Sequence, residues 1–202
     1  MEVVYTGFTL IYLNLLDCHK GCDTYMVMTR RIGIIGGTFN PIHLGHLMIA
    51  EVAREEFQLE KLIFVPARIP PHKQQDVIQA EHRYAMAAAA VADNPYFEIS
   101  DVEMKREGPS YTVDTIHYFR EMYGDTASFY FIAGTDTIRD LPNWKYIDEL
   151  LKHCHFIGAI RPDGSAVIDM TLDILGDVAK NKIMLTKCVV DYIENNDIYR
   201  KE

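Results

Sequence analysis

The 202-residue sequence predicts an α/β chain built on a doubly wound parallel sheet. Three observations lead there: short apolar runs alternate with helical patterns, a glycine turn joins the first of those runs to a helix, and no repeat or low-complexity tract breaks the order. The first run, Arg31-Ile32-Gly33-Ile34-Ile35, reads as a buried parallel strand, and helical periodicity starts at Leu47. Between them lies Gly36-Gly37-Thr38-Phe39-Asn40-Pro41-Ile42-His43-Leu44-Gly45-His46. This turn therefore sits at the carboxyl end of a strand. Open α/β sheets bind ligands there, and a helix start offers N–H groups and partial positive charge to an anion.

The later elements follow in alternation. Lys61 to Val65 reads as the second strand, and Glu81 to Ala92 as an alanine-rich helix of high propensity. Their connection, Ala67 to Ala80, is rich in Pro, Gln and charge, and is a candidate for ordering over a bound substrate. Phe97 to Ser100 is a third strand, followed by the Gly108-Pro109 loop and a helix over Thr112 to Met122. Ser128 to Ala133 and His155 to Ile160 supply two more strands, separated by the Trp144 segment and a short helix near Ile147 to Leu151. Beyond them, the stripe Ile174, Leu175 and Val178 suggests a helix over Met170 to Lys180. A strand over Lys182 to Thr186 and a terminal helix over Cys188 to Tyr199 complete the order.

Residues 29–202 make one domain, with a core supported by 49% hydrophobic residues. Residues 1–28 stand apart as an unmatched extension. Val3 to Leu16 is apolar but short for a membrane span, and it lacks a positive flank and a cleavage site. Two readings remain, an early start with Met26 or Met28 as initiator, which is favoured, or an added strand or hairpin. A net charge of -9 argues against nonspecific nucleic-acid binding. A polyanionic ligand then needs a local cluster of cations, for which Arg68, Lys73, Arg83, Arg139 and Arg161 are placed in or beside the expected loops. Cys18, Cys22, Cys154 and Cys188 are too few for a disulfide framework, which fits a reducing cytoplasm. No metal site is expected, since the C-x-x-x-C spacing of Cys18 and Cys22 has no partner pair.

Gly36 and Gly37 permit an anion to lie against the main chain, yet the turn matches neither a Walker loop nor a dinucleotide fingerprint. His43 and His46, three apart, project to one side of a helical first turn, with Gly45 leaving room between them. Such a clamp suits nucleotidyl transfer, where charge on an α-phosphate and a departing pyrophosphate must be steadied. A neutral imidazole donates one hydrogen bond to a phosphate oxygen, and the phosphate's charge is expected to favour the protonated, doubly donating form.

The turn resembles the signature of the HxGH nucleotidyltransferases; class I aminoacyl-tRNA synthetases carry a similar tetrapeptide, but length, acidic charge and the lack of a second lysine-rich signature exclude them. Pro70-Pro71-His72-Lys73, Gly108-Pro109-Ser110-Tyr111-Thr112-Val113-Asp114-Thr115, Phe131-Ile132-Ala133-Gly134-Thr135-Asp136 and Trp144 narrow the resemblance to the bacterial nicotinate-mononucleotide adenylyltransferases, over Arg31 to Pro162. The resemblance implies a Rossmann-like sheet and transfer of AMP from ATP, supplied with Mg²⁺, to nicotinate mononucleotide. It implies that His43 and His46 act on the phosphates, and that Gly36, Gly37, Thr38, Phe39, Gly134, Asp136 and Arg161 also contact ATP. Asn40, Lys73, Thr112 and Trp144 would contact the acceptor, with Thr112 at a helix start receiving the carboxylate and Trp144 stacking on the pyridine. Arg83 and Asp114 are weaker candidates, each equally readable as an ion-pair partner. No nucleic-acid or membrane partner is expected, and a homo-oligomer is compatible with the sequence.

One family feature is missing. The relatives carry a second ATP motif, I-S-S-T-x-I-R, near the carboxyl end. One alignment sets Met170 to Leu175 on it, with Leu172 in place of a hydroxyl and Leu175 in place of the arginine. The preferred alignment has the motif deleted and the C-terminal part shortened, because the helical stripe and the strand pattern occupy the same residues. Rival readings are transfer to another phosphate acceptor and a weak or inactive mononucleotide-binding relative.

Overall fold

Apolar residues two apart on each strand sort the chain into two layers around one sheet. The computed structural model describes residues 2–5, 8–13, 30–71, 77–160 and 185–199, with the backbone alone for 2–13, Thr135, Asp136 and Ile160. Seven strands form the sheet: β1 (Glu2–Tyr5), β2 (Phe8–Leu13), β3 (Arg30–Gly37), β4 (Lys61–Pro66), β5 (Phe97–Ile99), β6 (Ala127–Gly134) and β7 (His155–Ile160), in spatial order β1-β2-β7-β6-β3-β4-β5. The five from β7 to β5 are parallel, with Ile34 paired to Ile63 on one side and to Phe131 on the other.

The helices are α1 (Leu44–Glu56), α2 (Ala80–Val91), α3 (Val102–Lys105), α4 (Thr112–Tyr123), α5 (Thr135–Asp140), α6 (Ile147–His153) and α7 (Lys187–Asn195). Ile35, Leu62, Phe64, Tyr130, Ile132 and Ile157 point to one face, where Ala50 and Ala53 of α1, Met86 and Ala87 of α2 and Val189 and Ile193 of α7 cover them. Ile32, Ile34, Ile63, Val65, Phe129, Phe131 and Phe156 point to the other, against Val113, Ile116 and Phe119 of α4 and Leu150 of α6. Gly33 sits where the first layer is tightest: a Cβ there would lie 2.8 Å from Leu59 Cδ1 and 3.0 Å from Leu62 Cδ2.

The chain leaves β3 toward the face that carries α1, and leaves its neighbour β6 toward the face that carries α6. Adjacent strands whose connections diverge open a crevice at their carboxyl ends. The glycine turn lies in it.

The expected strands and helices between Arg31 and Ile160 are present, the largest boundary shift being at α1, which starts at Leu44 where periodicity suggested Leu47. Short helices α3 and α5 have too few residues for periodicity to reveal them. The parallel sheet gains an antiparallel pair at one edge. There β1 and β2 form an antiparallel hairpin, and β2 pairs antiparallel to β7 from Thr9↔Ile160 to Leu13↔Phe156. This is the less favoured of the two readings of residues 1–28. The hairpin supplies hydrogen bonds to a strand that would otherwise be an edge. The helix expected over Met170 to Lys180 lies outside the described residues, as do Cys18 and Cys22. Leu185 and Thr186, expected to end a strand, instead lead into α7.

A chain started at Met28 is expected to unfold in one cooperative transition, with Tm lowered by about 2–8 °C, and to self-associate as its concentration rises because the β7 edge is open. Calorimetry and sedimentation check this; loss of the transition would make the hairpin part of the cooperative core.

Candidate active site

The turn after β3 is shaped by what surrounds it. Phe39 has a left-handed φ of 47°, and its ring is 2% exposed, tilted against Phe64 and edge-on to His46 at 5.1 Å. Phe39 thus contributes backbone to the crevice and its ring to the core. A Cβ on Gly37 would lie 3.1 Å from that ring, and one on Gly36 would lie 3.1 Å from the ring of Phe131. Close packing against two aromatic rings therefore demands both glycines, a reason separate from the anion contact expected from the sequence. The Asn40-Pro41 bond is cis.

His43 is the N-cap of α1, and His46 is three residues on. The rings lie with centroids 3.8 Å apart at 33°. The His43 N–H donates to His46 Nδ1 at 3.3 Å, and the His46 N–H donates to the His43 carbonyl at 2.9 Å. With Nδ1 accepting from the backbone, Nε2 is the ring nitrogen left to donate. The space beside Gly45 is also filled, since a Cβ there would lie 3.0 Å from His43 Nδ1. Gly45 makes room for the His43 ring, where sequence reading expected room for a ligand.

Arg83 is the residue that sequence reading weighed too lightly. Its guanidinium is 1% exposed and donates to four carbonyls: Nη1 to Thr38 and Ala67, each at 2.6 Å, Nη2 to Arg68 at 3.0 Å, and Nε to Ile78 at 3.0 Å. Among the described residues no carboxylate lies within ion-pair distance of it, so the expected ion pair is replaced by carbonyl dipoles. Burial pulls its pKa below the ordinary arginine range. With four of its five N–H donors on carbonyls, Arg83 serves the framework, where its place among the expected local cations implied a phosphate contact. Only the helical pattern around it, with Met86 and Ala87 inward, marked it as core-facing.

Asn40, 9% exposed, is also a framework residue. Its Oδ1 accepts from the Tyr199 hydroxyl at 2.7 Å and from the Ile78 N–H at 3.3 Å, tying the turn to the C-terminal segment. Burial pushes the Tyr199 hydroxyl well above the ordinary tyrosine range, keeping it a donor. The loop after β4 reaches the start of α4 through Ser110, whose Oγ accepts from Arg68 N at 3.1 Å and whose N–H donates to Ile69 O at 2.9 Å.

The second side of the crevice is built from the starts of α4 and α6. Thr112 is the first residue of α4, half-buried, while Tyr111 is the N-cap and no side chain caps the helix. Thr112 therefore does not cap the helix with its own hydroxyl. Trp144 packs edge-on to Phe131 at 5.6 Å and Phe156 at 6.4 Å, and stays half-exposed. Lys145 joins the two elements, with its Nζ 4.2 Å from the Tyr111 ring and 5.0 Å from that of Tyr146. Asp114 is 3.7 Å from Arg106. Behind them Glu103, 6% exposed, accepts from the Thr115 hydroxyl at 2.6 Å, and Arg106 donates to the same hydroxyl at 3.0 Å. Burial raises the Glu103 carboxyl above its ordinary range. Lys145, Glu103 and Tyr199 carried no motif, so the sequence did not single them out.

Gly134 ends β6 and is the N-cap of α5, beside the β3 turn across the sheet. The Asp136 side chain, Lys73 and Arg161 lie outside the described residues, as does nearly all of the segment on which the second ATP motif was sought. The described residues therefore bring together Gly36 to Asn40, His43, His46 and Gly134 on one side, and Thr112 with Trp144 on the other.

Replacing Arg83 by Met is expected to destabilise the protein by about 3–5 kcal/mol, because four carbonyls, that of Ala67 buried and the others partly so, lose a charged donor; denaturant unfolding measures it, and a change below about 1 kcal/mol would contradict the role. Gly45→Ala separates site from fold. Alanine favours a helix by about 0.8–1.0 kcal/mol over glycine, so stability should hold or rise. The displaced His43 ring should meanwhile lower kcat/KM by about tenfold.

Comparison with known proteins identifies the family. The cytidylyltransferase-like family profile matches residues 34–197. A relative from Thermoanaerobacter sp. is 41% identical over 201 residues, spanning 85% of this chain and 95% of its own. Another from Oceanobacillus iheyensis is 39% identical, spanning 84% and 97%. A third from Moorella thermoacetica is 56% identical over 133 residues, 65% of this chain and 61% of its own. All three carry the name "Probable nicotinate-nucleotide adenylyltransferase". The structure of Plasmodium falciparum nicotinic acid mononucleotide adenylyltransferase complexed with NaAD superposes with a TM-score of 0.66, at 19% identity over 84% of this chain and 97% of that one, and so shows the shared fold. The chain belongs to the cytidylyltransferase-like family and, within it, to the nicotinate-nucleotide adenylyltransferases.

Proposed function

We propose that this chain transfers AMP from ATP to nicotinate mononucleotide, releasing pyrophosphate and forming deamido-NAD. The observation that supports it most is the histidine pair at the start of α1, with the His46 proton on Nε2, in the crevice between β3 and β6. An oxygen of the mononucleotide phosphate attacks the α-phosphorus of ATP; the new P–O bond forms as the bond to the β-phosphate oxygen breaks. No covalent enzyme intermediate is needed. The protein's part is to align the two phosphates and steady the charge on the α-phosphoryl group and on the pyrophosphate.

In this reading His43 and His46 face the triphosphate, and His46 donates through Nε2. The α1 start adds the dipole of a 13-residue helix. Gly36, Gly37, Thr38 and Phe39 supply the turn, Gly134 and Asp136 the ribose side, and Arg161 a further cation. Thr112 at the α4 start receives the acceptor's carboxylate, Trp144 offers its free edge and face to the pyridine, and Lys73 meets the acceptor phosphate. Asn40 acts as a positioning residue through Tyr199 and Ile78. ATP enters as its Mg²⁺ complex. Among the described residues no helix is long and apolar enough to cross a membrane, and a cytoplasmic location is proposed.

The test is pyrophosphate release from ATP and Mg²⁺ with nicotinate mononucleotide, nicotinamide mononucleotide or phosphopantetheine as acceptor. Fastest turnover with nicotinate mononucleotide is expected, reduced by about 100- to 1,000-fold in His46→Ala, the scale for losing one donor to transition-state charge. Equal rates in the variant and the parent would overturn the role of His46, and a faster rate with another acceptor would overturn the substrate.

A further inference from the structure

Away from the crevice, α4 and α6 lie side by side on the second face of the sheet and present three ligand-type side chains to each other. His117 comes from α4, and Glu149 and His153, one turn apart, come from α6. One ligand atom from each lies within 4.8 Å of the other two. His117 Nε2 is 3.1 Å from Glu149 Oε1, and the two imidazoles meet edge to face at 5.5 Å. Four ligands at 2.0–2.1 Å around a tetrahedral ion stand about 3.3 Å from one another, so the closest pair already has a metal's spacing.

A second feature points the same way. His117 Nε2 is shielded from solvent and makes no hydrogen bond, and its approach to Glu149 Oε1 is an ion pair only when His117 is protonated. A shared cation satisfies both.

We propose that His117, Glu149 and His153 bind a divalent transition-metal ion of zinc's class, with water in the remaining position. Neutral imidazole and carboxylate are the donor set that such an ion takes, and three protein ligands leave a place open. Arg120 regulates access. It lies one turn from His117 on α4, and its Nη1 contacts His153 Nδ1. A guanidinium only donates, so Nδ1 holds the lone pair and Arg120 occupies it as an internal cation. Metal entry displaces Arg120, whose Nη2 is already 3.6 Å from Asp125. The bound ion would clamp α4 to α6, the two helices whose starts carry Thr112 and the Trp144-Lys145-Tyr146 segment. No local motif marks this site, because Glu149 and His153 lie on a different helix from His117.

The experiment is calorimetric titration of the full chain with Zn²⁺, in a Cys18→Ser/Cys22→Ser/Cys188→Ser background that silences thiols, with far-UV circular dichroism on every variant. One ion per chain is expected. His117→Ala and His153→Ala should each weaken binding at least tenfold, using as a lower bound the 10- to 100-fold loss typical of outer-shell changes. Arg120→Ala should tighten it. Zn²⁺ should also raise Tm in the parent and not in His153→Ala. Unchanged affinity in both histidine variants, or weaker binding in Arg120→Ala, would overturn the proposal.

Discussion

Four backbone carbonyls from two separate connections meet on the Arg83 guanidinium, and the rest of the crevice is positioned by that meeting. Thr38 belongs to the turn after β3; Ala67, Arg68 and Ile78 belong to the two ends of the connection between β4 and α2. A planar group with five donors in fixed directions holds such a set where lysine, a single point charge, does not. The turn is therefore fixed from beneath, and the connection carrying Lys73 is closed at its base. Asn40 adds a second tie, bonding both to Ile78 and to Tyr199 at the far end of the chain.

That framework explains a division of labour across the sheet. The face that carries α1, α2 and α7 sets the histidine turn, through Arg83 from α2 and Tyr199 just after α7. The face that carries α4 and α6 sets the opposite wall, through Glu103, Thr115 and Arg106 behind Tyr111 and Thr112. The phosphate donor and the mononucleotide acceptor thus have separate supports, meeting where the β3 and β6 connections diverge.

The strands and long helices were legible in the sequence because burial on two faces writes continuous apolar runs, and burial on one writes a 3.6-residue stripe. The histidine turn was legible because it is contiguous. The framework was not: Arg83 lies 45 residues from Thr38 and Tyr199 lies 159 from Asn40, and nothing local distinguishes a buried arginine on a helix from a solvated one. For the same reason the glycines were legible but the rings packed against them were not. Gly36, Gly37 and Gly45 face the rings of Phe131, Phe39 and His43, contacts that exist only after the sheet and the turn have formed. The hairpin of β1 and β2 was weighed as the lesser reading because an isolated apolar run carries no sign of the edge it will pair with.

The central claim is that the turn is built by the protein before any nucleotide arrives. Amide hydrogen exchange by NMR tests it most directly, at three reporters: His43, bonded to His46 Nδ1; Ala67, bonded to Gly37 O; and Ile78, bonded to Asn40 Oδ1. All three should be protected in the ligand-free protein, with protection little changed by ATP. Rapid exchange without nucleotide, slowing only once ATP is added, would mean that the ligand orders the turn and would contradict the account.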